Sequence, residues 1–347
     1  MSPPEMSSPE GRMPMPSPPE AYRAVTNGVG FLDRSDRARL EVAGPDCAKF
    51  LHNLTTNDVK RLAAGHGCEA FVTIPQGKTI GYVSLLAGKD RILVRTDPGG
   101  LELALPHLQK YGVFDDVTIA DVSEPSFEYH LAGPRAEELF LLAGGELPAE
   151  GDLDHRETRL ADCPIRVIRE RPTGRPGLTL IGPVATAPRV AALLHEQGSP
   201  LGLVDVDPDT ADVLRIEAGT PLFGADVTSD NLPQEVGRDE RAINFVKGCY
   251  LGQETVARID ALGHVNKVLK GLKLPAGPIP PGGAALEVDG KAAGKITSSA
   301  YSPGWGRGLA LALVRTSYAA DGTEVRVVVD GSSTSAVVSD LPMLPPS

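Results

Sequence analysis

An α+β chain ending in an all-β barrel is the fold class this sequence predicts, and three observations predict it. First, an apolar pair, Gly-Pro and a helical stretch recur in "EVAGPDCAKFLHNL", "YHLAGPRAEELFLLAG" and "LIGPVATAPRVAALL", which begin at Glu41, Tyr129 and Leu180. Second, short apolar runs bounded by Gly, Lys and Asp lie between them, as strands do. Third, from about Val265 the helical periodicity stops and short strands with Gly-rich turns take over.

The elements follow in order. Residues 1–20 hold seven prolines and four of the five methionines, the composition of a disordered tail. They have no apolar core and are not Arg-rich, so a signal or transit peptide is not expected. "GVGFLD" at Gly28 lacks the third glycine of a dinucleotide fingerprint. In the Gly-Pro segments a strand should end at the glycine. The proline then sits in the first helical turn, where its missing N–H costs nothing. Phe50, Leu51 and Leu54 give the first helix its apolar face, and Leu139 and Phe140 the second. "CEAFVTI", "TIGYVSLLA" and "DRILVRTD" read as strands, the first two joined by a hairpin at "PQGK". "DLDHRETRLADCPIRVIRERPTGRPGLTLIG" reads as two or three more.

"DPDTADVLRIEAG" is a helix capped by Asp207, with Pro208 in its first turn and Gly219 as its stop. The irregular "TPLFGADVTSDNLPQEVGRDERAINFV" follows, a length of loop that is often functional. In the C-terminal part Asp289-Gly290 signals a two-residue hairpin. "GWGRG" at Gly304 lacks the Lys-Ser/Thr of a phosphate loop and precedes a strand, so it reads as a turn.

Net charge is −11, which disfavours a direct nucleic-acid partner. No apolar run reaches the roughly 20 residues that cross a bilayer. The four cysteines, Cys47, Cys68, Cys163 and Cys249, form no CxxC pair, so a structural metal is not expected. Their low density fits a reducing compartment, here the cytoplasm. The scattered histidines make no metal motif. His264 is the one nearest the most distinctive segment, "KGCYLGQE" at Lys247–Glu254.

In that octapeptide Cys249 precedes a helix, "QETVARIDALG". A helix dipole and the Lys247 cation would both favour a thiolate there. Gly248 and Gly252 leave the backbone open to a ligand. On the residues alone, a buried structural cysteine before a helix is the favoured reading, because most lone cysteines are inert.

"KGCYLGQE" is similar to the signature of the folate-binding YgfZ proteins, relatives of the glycine-cleavage T-protein, an aminomethyltransferase. The resemblance runs from about Tyr22 to Pro342 through "FLHNLTTNDVKRLAAG", "FVTIPQGKTIGYVSLL", "LRIEAGTPLFGADV", "LPQE" and "GKITSSAYSPGWGRGLALALV". It implies three domains around a central opening that holds tetrahydrofolate. The borders expected are 21–125, 126–255 and 256–342, with the first two free to interleave. It also implies a role in assembling or repairing iron–sulfur client proteins under oxidative stress, linked to tRNA modification. Cys249 and Lys247 carry over as the reactive pair at the opening. Tyr250, Gly252, Gln253, Glu254 and Asn57 carry over as folate-binding positions.

Two departures bear on chemistry. The acidic pair that follows the T-protein hairpin is Gly81 and Tyr82 here, and neither can take a proton from an amine. The T-protein's T-G-E-D-G run is "TGRPG" here, with Arg175 and Pro176 in place of the acids. A guanidinium cannot accept the pterin's N–H donors. The departures favour an accessory protein over the alternative, a folate-dependent aminomethyltransferase or other one-carbon transferase.

Overall fold

The computed structural model describes residues 19–263 and 265–346, so most of the expected tail and His264 lie outside the described residues. Helix α1 (Pro19–Asn27) and strand β1 (Gly30–Asp33) come first. Next are β2 (Ala38–Ala43), α2 (Cys47–Leu54), β3 (Gly67–Thr73), β4 (Thr79–Ala87), β5 (Arg91–Thr96), α3 (Pro98–Tyr111) and β6 (Thr118–Asp121). Then follow β7 (Ser126–Ala132), α4 (Ala136–Leu142), β8 (His155–Leu160), β9 (Cys163–Arg169), β10 (Gly177–Pro183), α5 (Ala187–Gly198) and β11 (Val204–Asp205). Helices α6 (Pro208–Ala218), α7 (Asp239–Ala242) and α8 (Gln253–Leu262) lead to the last six strands. These are β12 (Lys267–Lys273), β13 (Ala285–Val288), β14 (Lys291–Ser302), β15 (Arg307–Arg315), β16 (Glu324–Val329) and β17 (Ser332–Ser339).

The strands make a five-stranded sheet in the order β3-β4-β5-β2-β6, a six-stranded sheet in the order β11-β1-β7-β10-β9-β8, and a closed barrel of β12–β17. Strand β1 lies in the second sheet, antiparallel to β7, so the two α+β units interleave through the N-terminal strand. In the barrel Asp289 and Gly290 both take positive φ, at 50° and 72°, which is the geometry a two-residue hairpin demands.

Each sheet buries one face under helices. Phe50, Leu51 and Leu54 of α2 and Leu108 of α3 pack on Leu40, Val42, Val72, Val83, Leu85 and Val94 of the five-stranded sheet. Leu139, Phe140, Val190 and Leu194 of α4 and α5 pack on the six-stranded sheet. Each such side chain contributes about 1.5–3 kcal/mol by leaving water. The opposite faces of the two sheets meet through Leu86, Leu93, Ile168 and Ile181, and through charged groups described below.

The Gly-Pro segments do join strand to helix, with one correction. Pro45 and Pro134 precede the capping residues Asp46 and Arg135, so both lie outside the first helical turn. The glycines set this geometry. Gly44 and Gly133 have φ of +122° and +124°, and a Cβ on them would meet the carbonyl oxygens of Asp116 at 2.3 Å and Gly28 at 2.5 Å. In the third segment β10 runs on through Gly182 to Pro183, and a short 3₁₀ turn intervenes before α5.

Candidate active site

A cavity of about 910 Å³ opens where both sheets, α6 and the segment after the barrel meet. That is the size of a small-molecule site. Its walls carry Asp33–Arg37 from the loop between β1 and β2, and Glu69, Tyr82 and Ser84 from β3 and β4. Asp152, Glu170–Gly174, Asp212, Arg238, Arg241, Pro342 and Leu344 complete them.

The β3–β4 hairpin aims one cluster inward. Phe71 pairs with Tyr82 and Glu69 with Ser84, so the period-two alternation of strands puts all four on the face away from α2. The Tyr82 hydroxyl donates to Glu69 Oε2. Arg241 donates to Glu69 Oε1 from Nε at 3.0 Å and from Nη2 at 2.6 Å, and also pairs with Asp152. The Tyr82 ring stacks on Phe71 with centroids 5.1 Å apart. Burial, then the Glu69 charge, pushes the Tyr82 hydroxyl well above its ordinary pKa, so it stays a donor. Burial also raises the Asp152 carboxyl, opposed by Arg241.

Behind this cluster lies an ionic layer, buried except where Glu170 borders the cavity, that ties the sheets together. Arg95 of β5 donates to Glu128 of β7 at 2.6 Å and to Glu170 at 2.9 Å. Arg39 of β2 reaches Glu128 at 3.3 Å and Ser126 at 2.8 Å. Burial alone would raise both carboxyls, but Arg95 holds Glu128 and Glu170 below the usual carboxylate range.

The octapeptide lies elsewhere. Cys249 is exposed and lines a separate depression of about 400 Å³ with Phe50, Asn53, Leu54, Tyr111 and Asp115. Those residues belong to α2, the end of α3 and the turn after it, on the helix-covered side of the five-stranded sheet. The expected place of Cys249 at the central opening is therefore corrected. The cause is local docking: Leu251 N–H donates to the Asn53 carbonyl at 2.9 Å, and Thr73 Oγ1 donates to the Leu251 carbonyl at 2.6 Å.

Lys247 is buried, and its Nζ donates to the carbonyls of His52 at 2.6 Å, Thr55 at 2.6 Å and Asn57 at 2.8 Å. It also sits 4.7 Å from the centroid of the buried Tyr250 ring. Burial lowers its pKa to about 7 against the pull of Asp58. The three carbonyls, which accept every N–H of an ammonium, work the other way.

Gly252 has φ of +86°, and a Cβ there would lie 2.5 Å from the Ile74 carbonyl oxygen, so the glycine lets the segment press on the hairpin turn. Gln253 and Glu254 open α8, Glu254 exposed. Asn57 Nδ2 bridges the carbonyls of Glu69 at 2.8 Å and Arg241 at 2.9 Å, which steadies the cavity cluster from behind. None of the seven predicted site residues is among those that line the large cavity.

Sequence reasoning passed over Glu69, Asp152, Arg241, Arg34 and Arg37. For Glu69 a signal existed: antiparallel register across "PQGK" places it on Tyr82's face. For Arg241, 172 residues from Glu69, no local pattern could. Arg175 is half-buried, within electrostatic reach of Tyr22 and Glu217.

Residues 16–247 match the GCVT N-terminal domain, and residues 267–344 match the glycine cleavage T-protein C-terminal barrel domain. A putative chloroplastic transferase of Arabidopsis thaliana is 32% identical over 94% of this chain and 75% of its own. An aminomethyltransferase of Thermus thermophilus is 30% identical over 94% and 90%. The crystal structure of the glycine cleavage system aminomethyltransferase T of Bartonella henselae superposes with a TM-score of 0.85 at 20% identity, covering 94% and 89%.

Proposed function

The chain belongs to the glycine cleavage T-protein family, and from that premise we propose that it binds tetrahydrofolate in the large cavity and acts as a folate-dependent one-carbon transferase. One observation carries the reading: the carboxylate that the hairpin positions Gly81 and Tyr82 lack is supplied from the preceding, paired strand β3 by Glu69. The cavity's chemistry suits the ligand. Leu32, Leu153, Val206 and Leu222 offer apolar wall, and Glu69 and Asp152 offer acceptors for N–H donors.

Tetrahydrofolate, when bound, supplies the nitrogen that receives the carbon. Glu69 orients and neutralises the amine that loses it, Arg241 fixes the carboxylate's rotamer from one side, and Tyr82 does so from the other. The surrounding walls keep water from competing. A positioned acid or base of this kind is worth about 10²–10⁴-fold in rate.

The test is turnover of tetrahydrofolate with an aminomethyl donor, whose carbon passes to folate as ammonia leaves without any change of oxidation state. Glu69→Gln is expected to lower kcat about 100-fold while folate affinity stays within a few-fold. A Glu69→Gln rate equal to wild type would overturn the assignment.

A second reading is favoured by one fact: Cys249 is exposed while Lys247 and Tyr250 beside it are buried. On this reading the chain is a YgfZ-type accessory protein for iron–sulfur clients, with a linked effect on tRNA modification. Cys249→Ala separates the two. Loss of cluster-dependent enzyme activity in oxidant-stressed cells, with cavity turnover intact, favours the accessory role.

A further inference from the structure

Three arginines of the large cavity, Arg34, Arg37 and Arg171, make no side-chain hydrogen bond among the described residues, and Arg171 is exposed while the other two are shielded. Arg34 and Arg37 stand in the loop between β1 and β2, and both line the cavity. Their side chains are only 25% and 16% exposed. Each has one loose ion pair. Arg34 Nε lies 3.7 Å from Asp36 Oδ1, and Arg37 Nε lies 3.7 Å from Asp97 Oδ1. Both distances exceed hydrogen-bond length. Arg37 Nε is buried without a partner.

The loop itself is tightly held. Arg34 N–H donates to the Glu128 carbonyl at 2.8 Å, and Arg37 N–H to the Arg34 carbonyl at 3.0 Å. Glu128 N–H donates to Ser35 Oγ at 3.1 Å. The acids nearby are otherwise engaged. Asp36 is 69% exposed, Asp97 Oδ2 accepts from Phe223 N–H at 2.9 Å, and Glu128 is held by Arg39 and Arg95. Arg171 is solvated, and Arg215, Arg238 and Arg241 each donate to a short acceptor.

Buried donors without acceptors are rare and call for a partner. Two like charges side by side in a cavity want an anion, and a guanidinium fork fits a carboxylate two-pronged.

We propose that Arg34 and Arg37 form a carboxylate subsite of the cavity, gripping the anionic end of the bound ligand. The identity of that ligand rests on the folate reading; the presence of an oxyanion site does not. The carboxylate could be that of folate's glutamyl tail or that of an amino-acid carbon donor.

Calorimetry with tetrahydrofolate and with methyltetrahydropterin, which keeps the ring and has no carboxylate, tests the first source. In wild type the tail is expected to add on the order of 10- to 100-fold in affinity, the worth of charge-assisted hydrogen bonds. In Arg34→Met/Arg37→Met that gain disappears and methyltetrahydropterin affinity stays within about twofold. Thermal melting of the double variant checks that it folds, and removing unpaired buried charge should not lower its Tm.

If wild type does not favour the tail, sarcosine titrated into the folate-loaded protein tests the second source, and binding lost in the double variant assigns the subsite to it. Equal affinities of wild type and double variant in both titrations overturn the proposal. If no folate binds but inorganic phosphate raises the Tm of wild type and not of the variant, the folate reading falls and the subsite stands. If neither binds, both fall.

Discussion

Replacing Lys247 by methionine is expected to lower stability by about 3–5 kcal/mol, while Cys249→Ser, two residues away, stays within about 0.5 kcal/mol of wild type. Lys247 Nζ donates to the buried carbonyls of His52 and Thr55 at 2.6 Å, and to that of Asn57 at 2.8 Å, which also accepts from Val59 N–H at 3.1 Å. An unpaired buried acceptor costs about 1–3 kcal/mol, and methionine fills the volume but donates nothing. The Tyr250 ring also loses its cation. Cys249 is exposed, and surface substitutions rarely matter. Urea denaturation of both variants gives the comparison. Equal midpoints would refute the structural role of the signature lysine.

Arg95→Met should cost a similar 3–5 kcal/mol and change how stability depends on pH. Arg95 is fully buried and is the main counter-charge of Glu128 and Glu170, so its removal strands Glu170 between the sheets and leaves Glu128 with Arg39 as its ion-pair partner. In wild type both carboxyls have folded pKa values below the ordinary 4.5, so their contribution is full above that value and is lost as pH falls toward the folded values. Without Arg95, burial dominates at Glu170 and raises its pKa. Stability of the variant then falls as pH rises through 4.5, the opposite sign. Chemical denaturation from pH 3.5 to 7 reads this directly. A variant that keeps the wild-type pH trend would show the layer to be held by something else.

The elements were legible in the sequence because their causes are local. Asp207 and Gly219 cap α6 as composition suggests, with Asp207 accepting from Thr210 N–H at 2.8 Å and Gly219 at φ +67°. The "PQGK" hairpin and the closed barrel follow from turn chemistry and alternation in the same way. The site was less legible because it is assembled from afar. The octapeptide drew attention to Cys249 and Lys247, yet the lysine staples α2 and the turn after it, and the cysteine faces away from the cavity. The absence of acids at Gly81 and Tyr82 seemed to remove a carboxylate, when strand pairing returned one at Glu69. Arg34 and Arg37 sit in an unremarkable run, "LDRSDRARL". Only the surrounding fold shows that their side chains are shielded and loosely paired, and that Arg37 Nε is buried without a hydrogen-bond partner.

The central claim is that folate occupies the large cavity and not the depression beside Cys249. Calorimetric titration with tetrahydrofolate tests it most directly, using wild type, Ser84→Trp, which fills the cavity face of β4, and Cys249→Trp. The account predicts one equivalent bound by wild type and by Cys249→Trp, and none by a folded Ser84→Trp. Binding that survives in Ser84→Trp and is lost in Cys249→Trp, or no binding by wild type at millimolar ligand, would contradict it.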